Sequence, residues 1–306
     1  MSLAFLILAH QKPAQFKRLF DAIYHREDTF VLHFDRRAPA ALHDLGRTLA
    51  LVHSNVLLMP ARKIFWGGPV IVHVQLEAMR LALITDSRWT HFINLSGQDF
   101  PLKSRDEMID FLEAAREKSY LSWFDPLGAP VVWSDARKRM IRHHIAWPWL
   151  HHLLTLPGIG RRLRRICGWQ NGLPYIPGYL RRWPDFFRYY GGANHVALAR
   201  ATAGYLLENT DARRIIDWLQ ATGVSDEILF QSVLLNSPLA PTLINATLRE
   251  IDFPRGSVHP RIFTAADLPR LFASPALFAR KFDEGIDSVV LDRLEERVRH
   301  VPVLQP

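Results

Sequence analysis

Alternation of short apolar runs with amphipathic stretches is the feature that most restricts how this 306-residue chain can fold. Residues 3–9, 30–34, 56–58 and 92–95 are nearly continuous apolar runs, while 13–25, 40–51, 70–85 and 104–117 carry apolar residues at helical spacing. Apolar runs of strand length fit strands covered on both faces, and strands that alternate with helices predict a mostly parallel α/β sheet. Ser104, followed three residues later by Glu107, predicts an N-cap with a capping box. Ligands of such sheets gather at the carboxyl ends of the strands, so His10, Asp35 and Ser96-Gly97-Gln98-Asp99 are expected to converge on one crevice.

Beyond residue 125 the pattern gives way to proline, glycine, arginine and tryptophan, and 126–190 is expected to hold a short helix or two inside long loops. Order returns with a predicted strand over 193–198, helices around 201–219 and 226–236, a strand over 242–251, and late helices over 268–272 and 289–298. One domain over 1–306 follows, with a nucleotide-binding half (1–125), a basic loop-rich insertion (126–190) and a catalytic and acceptor half (191–306).

With 48% hydrophobic and 22% charged residues the composition is that of a soluble globular protein. The single Cys167 excludes an internal disulfide and a cysteine-based zinc site, which suits a reducing compartment. The run 3–9 is far shorter than the ~20 residues of a membrane span and is read as a buried strand. The net charge of +8 is concentrated. Residues 131–190 hold eleven basic residues against two acidic ones, a local +9 that leaves −1 for everything else. Interleaved tryptophans and tyrosines make this segment suited to an anionic membrane face, an acidic glycan or nucleic acid; alternatively its arginines form a solvated face over an aromatic core.

Two short constellations carry the chemistry. Asp226 and Glu227 follow Ser225 at a predicted helix start, where the helix dipole would keep both carboxylates ionised and one of them able to take a proton from a hydroxyl. Their alternative role is simply to stabilise that helix. Arg280 and Lys281, held between Phe278 and Phe282, offer a bidentate fork and a point charge for two phosphates, or else complement a helix end. No Asp-x-Asp occurs in the chain, so a leaving diphosphate would be met by fixed cations and not by a carboxylate-held metal. Trp66-Gly67-Gly68 and Gly191-Gly192-Ala193-Asn194-His195 allow close backbone approach to a ligand, or plain turns. His143-His144 and His151-His152 lack carboxylates at ligand spacing, and no metal is expected.

In this order, Phe30-Val31-Leu32-His33-Phe34-Asp35, Trp66-Gly67-Gly68, Asn94-Leu95-Ser96-Gly97-Gln98-Asp99-Phe100-Pro101-Leu102-Lys103-Ser104, Gly192-Ala193-Asn194-His195, Ser225-Asp226-Glu227 and Leu277-Phe278-Ala279-Arg280-Lys281-Phe282-Asp283 resemble the Core-2/I-branching family of glycosyltransferases, which includes branching β-1,6-N-acetylglucosaminyltransferases and peptide O-xylosyltransferases. The resemblance spans nearly the whole chain. It implies a GT-A-type, Rossmann-like sheet flanked by helices, a UDP-sugar donor, inversion at the anomeric carbon and no metal cofactor. Carried over by position, Glu227 with Asp226 beside it is the general base, and Arg280 and Lys281 bind the donor diphosphate. His10, Asp35, Trp66, Gly67, Gly68, Ser96, Gly97, Gln98 and Asp99 line the nucleotide or donor pocket; Gly192, Asn194 and His195 line the acceptor or sugar pocket. His195 departs from the tryptophan of many relatives. The implied setting is cytoplasmic, at the inner membrane face, acting on a glycan or lipid-linked acceptor, with no nucleic-acid partner. A competing class is a non-catalytic membrane-surface or nucleic-acid binder that uses 131–190.

Overall fold

The computed structural model describes residues 1–65, 67–145, 150, 153, 154, 156, 158, 160, 162, 166–254, 257 and 259–299. Seven described strands form the central sheet, in the order β11 (Leu243–Asn245), β6 (Ser119–Leu121), β10 (Val196–Ala199), β4 (Trp89–Ser96), β1 (Ser2–Ala9), β2 (Thr29–Phe34) and β3 (Val56–Leu58). β4, β1, β2 and β3 run parallel to one another, as do β11 and β6, while β10 is antiparallel to both strands beside it. The expected mostly parallel α/β sheet flanked by helices is present.

Why β1 reads as an unbroken apolar run follows from its two faces. Phe5 and Ile7 enter one core with Phe16, Phe20, Phe30 and Phe34, whereas Ala4 and Leu6 enter another with Val31, Val74, Met79 and Phe92. Helices Pro13–Ile23, Ala40–Val52 and Val289–Arg299 cover the first face, and Val70–Thr85, Arg200–Glu208 and Leu229–Leu235 cover the second. Each such buried side chain contributes ~1.5–3 kcal/mol over an exposed one. Ser104 caps Arg105–Glu113 with the predicted capping box: its Oγ accepts from the Glu107 N–H, and the Glu107 carboxylate accepts from the Ser104 N–H.

Two small sheets were not anticipated. β13 (Phe278–Arg280) lies between β12 (Arg249–Ile251) and β5 (Asp99–Pro101). The predicted strand over 242–251 is therefore two strands in different sheets, broken where Leu248 takes a left-handed conformation with φ 54°. Within 126–190, the short helix Ala136–Ile141 is joined by β7 (Arg142–His144), β8 (Gly168–Gln170) and β9 (Leu173–Leu180), which form an antiparallel sheet in the order β7-β9-β8. β8 and β9 meet at Asn171-Gly172, both with positive φ (50° and 75°), as a two-residue hairpin requires. This Asn-Gly pair was the legible sign of a hairpin in a segment otherwise read as loops.

Candidate active site

The carboxyl ends of β1, β2 and β4 lie side by side: Ala9 is level with Phe34, and Leu8 with Ser96. Backbone bonds stitch the residues that follow, Asp35 N–H to Ala9 C=O at 3.0 Å and Gly97 N–H to Leu8 C=O at 2.9 Å. The predicted convergence of His10, Asp35 and the 96–99 loop is met. Asp35 is occupied by its own chain, accepting from the Arg37 side chain at both oxygens (2.9 Å each) and from the N–H groups of Arg37 and Ile64. Burial works against its charge, but these bonds hold the carboxyl down to about 2. His10 is exposed at the rim. Partial enclosure of its ring lowers its pKa against the pull of Asp35, and Lys281, Arg37 and Arg280 add to the lowering.

Arg280 stands opposite Asp99 in the β13/β5 pairing, its Nη1 donating to Asp99 Oδ1 at 2.8 Å and to Ser96 Oγ. Asp99 is fully buried; it also accepts from Ser96 N–H (3.1 Å) and Ser96 O–H (2.9 Å), and Arg249 Nε stands 3.6 Å from its second oxygen. Burial opposes its ionisation, yet Arg280 and Arg249 outweigh it and hold the carboxyl down to about 2. A carboxylate so enclosed acts through Arg280, which it orients. Arg249, absent from the sequence reading, is itself wholly buried and donates to the carbonyls of Thr247 and Asn94. Lys281 is joined to Arg280 by a cis peptide; its carbonyl accepts from Phe263 N–H at 2.9 Å, and its side chain carries no hydrogen bond or ion pair among the described residues. Desolvation and Arg280, with Lys12, make its charge less favourable against the opposing pull of Asp283, an arrangement that an incoming anion would relieve further. The strand end is fixed by Phe282, whose N–H donates to Gln98 C=O at 2.9 Å and whose carbonyl accepts from Gln15 Nε2 at 3.1 Å.

Asp226 and Glu227 lie on a 3-10 turn, Ser225–Glu227, entered through Val224 at φ 55°; the α-helix starts only at Leu229. The expectation that a helix dipole keeps both ionised is overturned. Burial pushes the Glu227 carboxyl up to about 7, Asp226 adds repulsion, and Arg139 opposes both. Burial likewise raises Asp226, whose Oδ2 accepts from Asn194 Nδ2 at 3.0 Å. Gly192 secures the turn, donating its N–H to Glu227 C=O at 2.9 Å; a Cβ there would stand 1.9 Å from Ser122 O. Gly67, at φ 75°, accepts from Val224 N–H at 2.9 Å and so supports the turn that carries Asp226 and Glu227. Trp66 lies outside the described residues.

Consecutive residues tie the two chemistries together. Asn194 holds Asp226, and His195, half-buried, faces Arg249, Arg280 and Asp99; desolvation and the two arginines lower its pKa well below the ordinary value. The insertion reaches the acidic pair as well: Arg139 donates to Glu227 Oε2 at 3.1 Å. Other arginines of the segment also turn inward. Arg142 stacks on Tyr175 at 4.1 Å and Arg181 on Trp218 at 3.5 Å, which favours the aromatic-core reading for these, while Arg182 is exposed. Trp147, Trp149, His151, His152, Arg161, Arg164 and Arg165 lie outside the described residues. Among those described, no group of three or more His, Cys, Asp or Glu is arranged to hold a metal ion, and no helix is long and apolar enough to cross a membrane.

Residues 3–272 match the family described as Core-2/I-Branching enzyme. Xylosyltransferase 1 of Pan troglodytes is 26% identical over 96% of this chain and 30% of its own length, and xylosyltransferase 2 of Rattus norvegicus is 26% identical over 96% and 33%. The chain thus spans about a third of the length of these relatives. A crystal structure of the galactosyltransferase LgtC with donor and acceptor sugar analogs superposes over 98% of both chains with a TM-score of 0.40 and 9% identity.

Proposed function

The chain belongs to the Core-2/I-Branching enzyme family, and from that premise we propose that it moves a sugar, N-acetylglucosamine or xylose, from a UDP-sugar to a hydroxyl of a glycan or other acceptor, with inversion and without a metal. In one displacement the acceptor oxygen forms a bond to the anomeric carbon as the bond to UDP breaks. Glu227 takes the acceptor proton, and Arg280 with Lys281 meets the charge that develops on the departing diphosphate.

The observation that supports this reading is the run Asn194-His195: Asn194 donates to Asp226, whose neighbour Glu227 has a carboxyl raised to about 7, and His195 faces Arg280. A base whose pKa lies near neutrality is matched to proton abstraction at physiological pH. The Lys281 side chain, which carries no hydrogen bond or ion pair among the described residues, supports the diphosphate assignment. A lipid-linked acceptor at an anionic membrane face stays within the proposal, supported by Ile176, Tyr179 and Leu180, exposed ahead of Arg182. The test is a screen of UDP-sugars for transfer and hydrolysis with the parent and Glu227→Gln. The variant should keep donor affinity and lose roughly 10²–10⁴ in turnover. Turnover within a few-fold of the parent's removes Glu227 as the base.

A further inference from the structure

Resting on Glu227 as the base, we propose that Arg139 is its positioning residue, anchored by Asp135, so that the basic aromatic insertion sets where the catalytic carboxylate stands. Arg139 is buried and bridges the two acids, Nε to Asp135 Oδ1 at 2.9 Å and Nη1 to Glu227 Oε2 at 3.1 Å, with its guanidinium 4.1 Å over the Trp133 ring. Asp135 is itself held: its Oδ2 accepts from Gln170 Nε2 at 2.8 Å and Asn171 Nδ2 at 2.9 Å, and Arg142 fixes Gln170 Oε1 at 2.9 Å. The same Asn171 presses its carbonyl against Gly67, 2.6 Å from where a Cβ would lie, and Gly67 accepts from Val224 at the start of the base turn. The hairpin tip thus supports Glu227 twice, through Asp135 and Arg139 at the carboxylate and through Gly67 and Val224 at the backbone.

A planar guanidinium with two partners and an aromatic ring beneath it has little freedom, so Oε2 is fixed and Oε1, with no protein partner among the described residues, is turned to the acceptor. Among the described residues, four groups face the Glu227 carboxyl: Asp226 beside it, Arg139 and Asp135 from the insertion, and Tyr189, whose buried hydroxyl has no hydrogen-bond partner there. Arg139 alone among them favours the ionised form.

The experiment measures kcat/KM against pH for the parent, Arg139→Met, Arg139→Lys and Glu227→Gln, with folding checked by circular dichroism and UDP-protected melting. Without the cation Glu227 holds its proton to higher pH, so Arg139→Met should lose about 10-fold or more below neutrality, the effect of removing an opposite charge from beside a carboxylate, and recover as pH rises. Arg139→Lys retains the charge but not the fork; its acid limb should stay near the parent's with a lower plateau, and it decides the matter if the Met variant does not fold. Loss by one factor at every pH in both variants, or superimposable profiles, overturns the role of Arg139 while leaving Glu227 as the base. Near-parental activity of Glu227→Gln overturns the base itself.

Discussion

Glu227 is a carboxyl that the fold makes hard to ionise, and that has a consequence for stability. Its folded pKa of about 7 exceeds its ordinary value of 4.5, so between those pH values the folded state binds more protons than the unfolded one, and stability falls as pH rises. The loss begins near pH 4.5 and is complete above about 7. Glu227→Gln removes it, so the variant should melt near the parent at pH 4.5 and be more stable at pH 8. The raised pKa is worth at most ~3 kcal/mol; with a third of the side chain exposed, about 1–2 kcal/mol is expected. Thermal melts at the two pH values measure it, and a difference that does not change with pH would mean Glu227 titrates normally. Asp226 is expected to be a poorer base for an acceptor, being more deeply buried and committed to Asn194 at one oxygen.

At the level of elements, the site is made where strands end and backbone segments nearly touch. Gly192 shows how little room there is: Ser122 O occupies the space of a side chain, and the Gly192 N–H holds the carbonyl of Glu227. Gly192→Ala must push the end of β6 and the Ser225–Glu227 turn apart, and should cost about 1–3 kcal/mol, as overpacking does, together with turnover if Glu227 is the base; a melt indistinguishable from the parent's would show that the contact yields easily. How much of this was legible depends on the range of each interaction. Strands β1 to β4 were readable because burial on both faces leaves an unbroken apolar run, and the Ser104 cap because its partner is three residues away. Arg139 and Glu227 are 88 residues apart, Arg280 and Asp99 181 apart, and no local pattern announces either pair. The three-residue strands β5 and β13 were missed, and β12 was merged with β11 into one strand, for the same reason, since pairing and not periodicity defines them.

Across the whole molecule, charge is spent on organisation more than on display. Arg139, Arg142, Arg181, Arg249 and Arg280 all have carboxylates, carbonyls or aromatic rings as partners, whereas the Lys281 side chain carries no hydrogen bond or ion pair among the described residues. If that cation and Arg280 together hold the diphosphate, the molecule should take UDP without any divalent ion. In excess chelator, UDP at 100 times its Kd should stabilise the fold by ~2.7 kcal/mol, and an upward shift of the melt would report it. Lys281→Ala should weaken UDP far more than uridine, because uridine has no phosphate to lose, and should cost about 2–5 kcal/mol of transition-state stabilisation, the range for removing one partner of a desolvated charge pair. Arg280 remains in place in that variant, held by Asp99, so a residual preference for UDP over uridine is expected. Equal losses for UDP and uridine, or protection that appears only when a divalent ion is restored, would show that the diphosphate is held by something other than this pair.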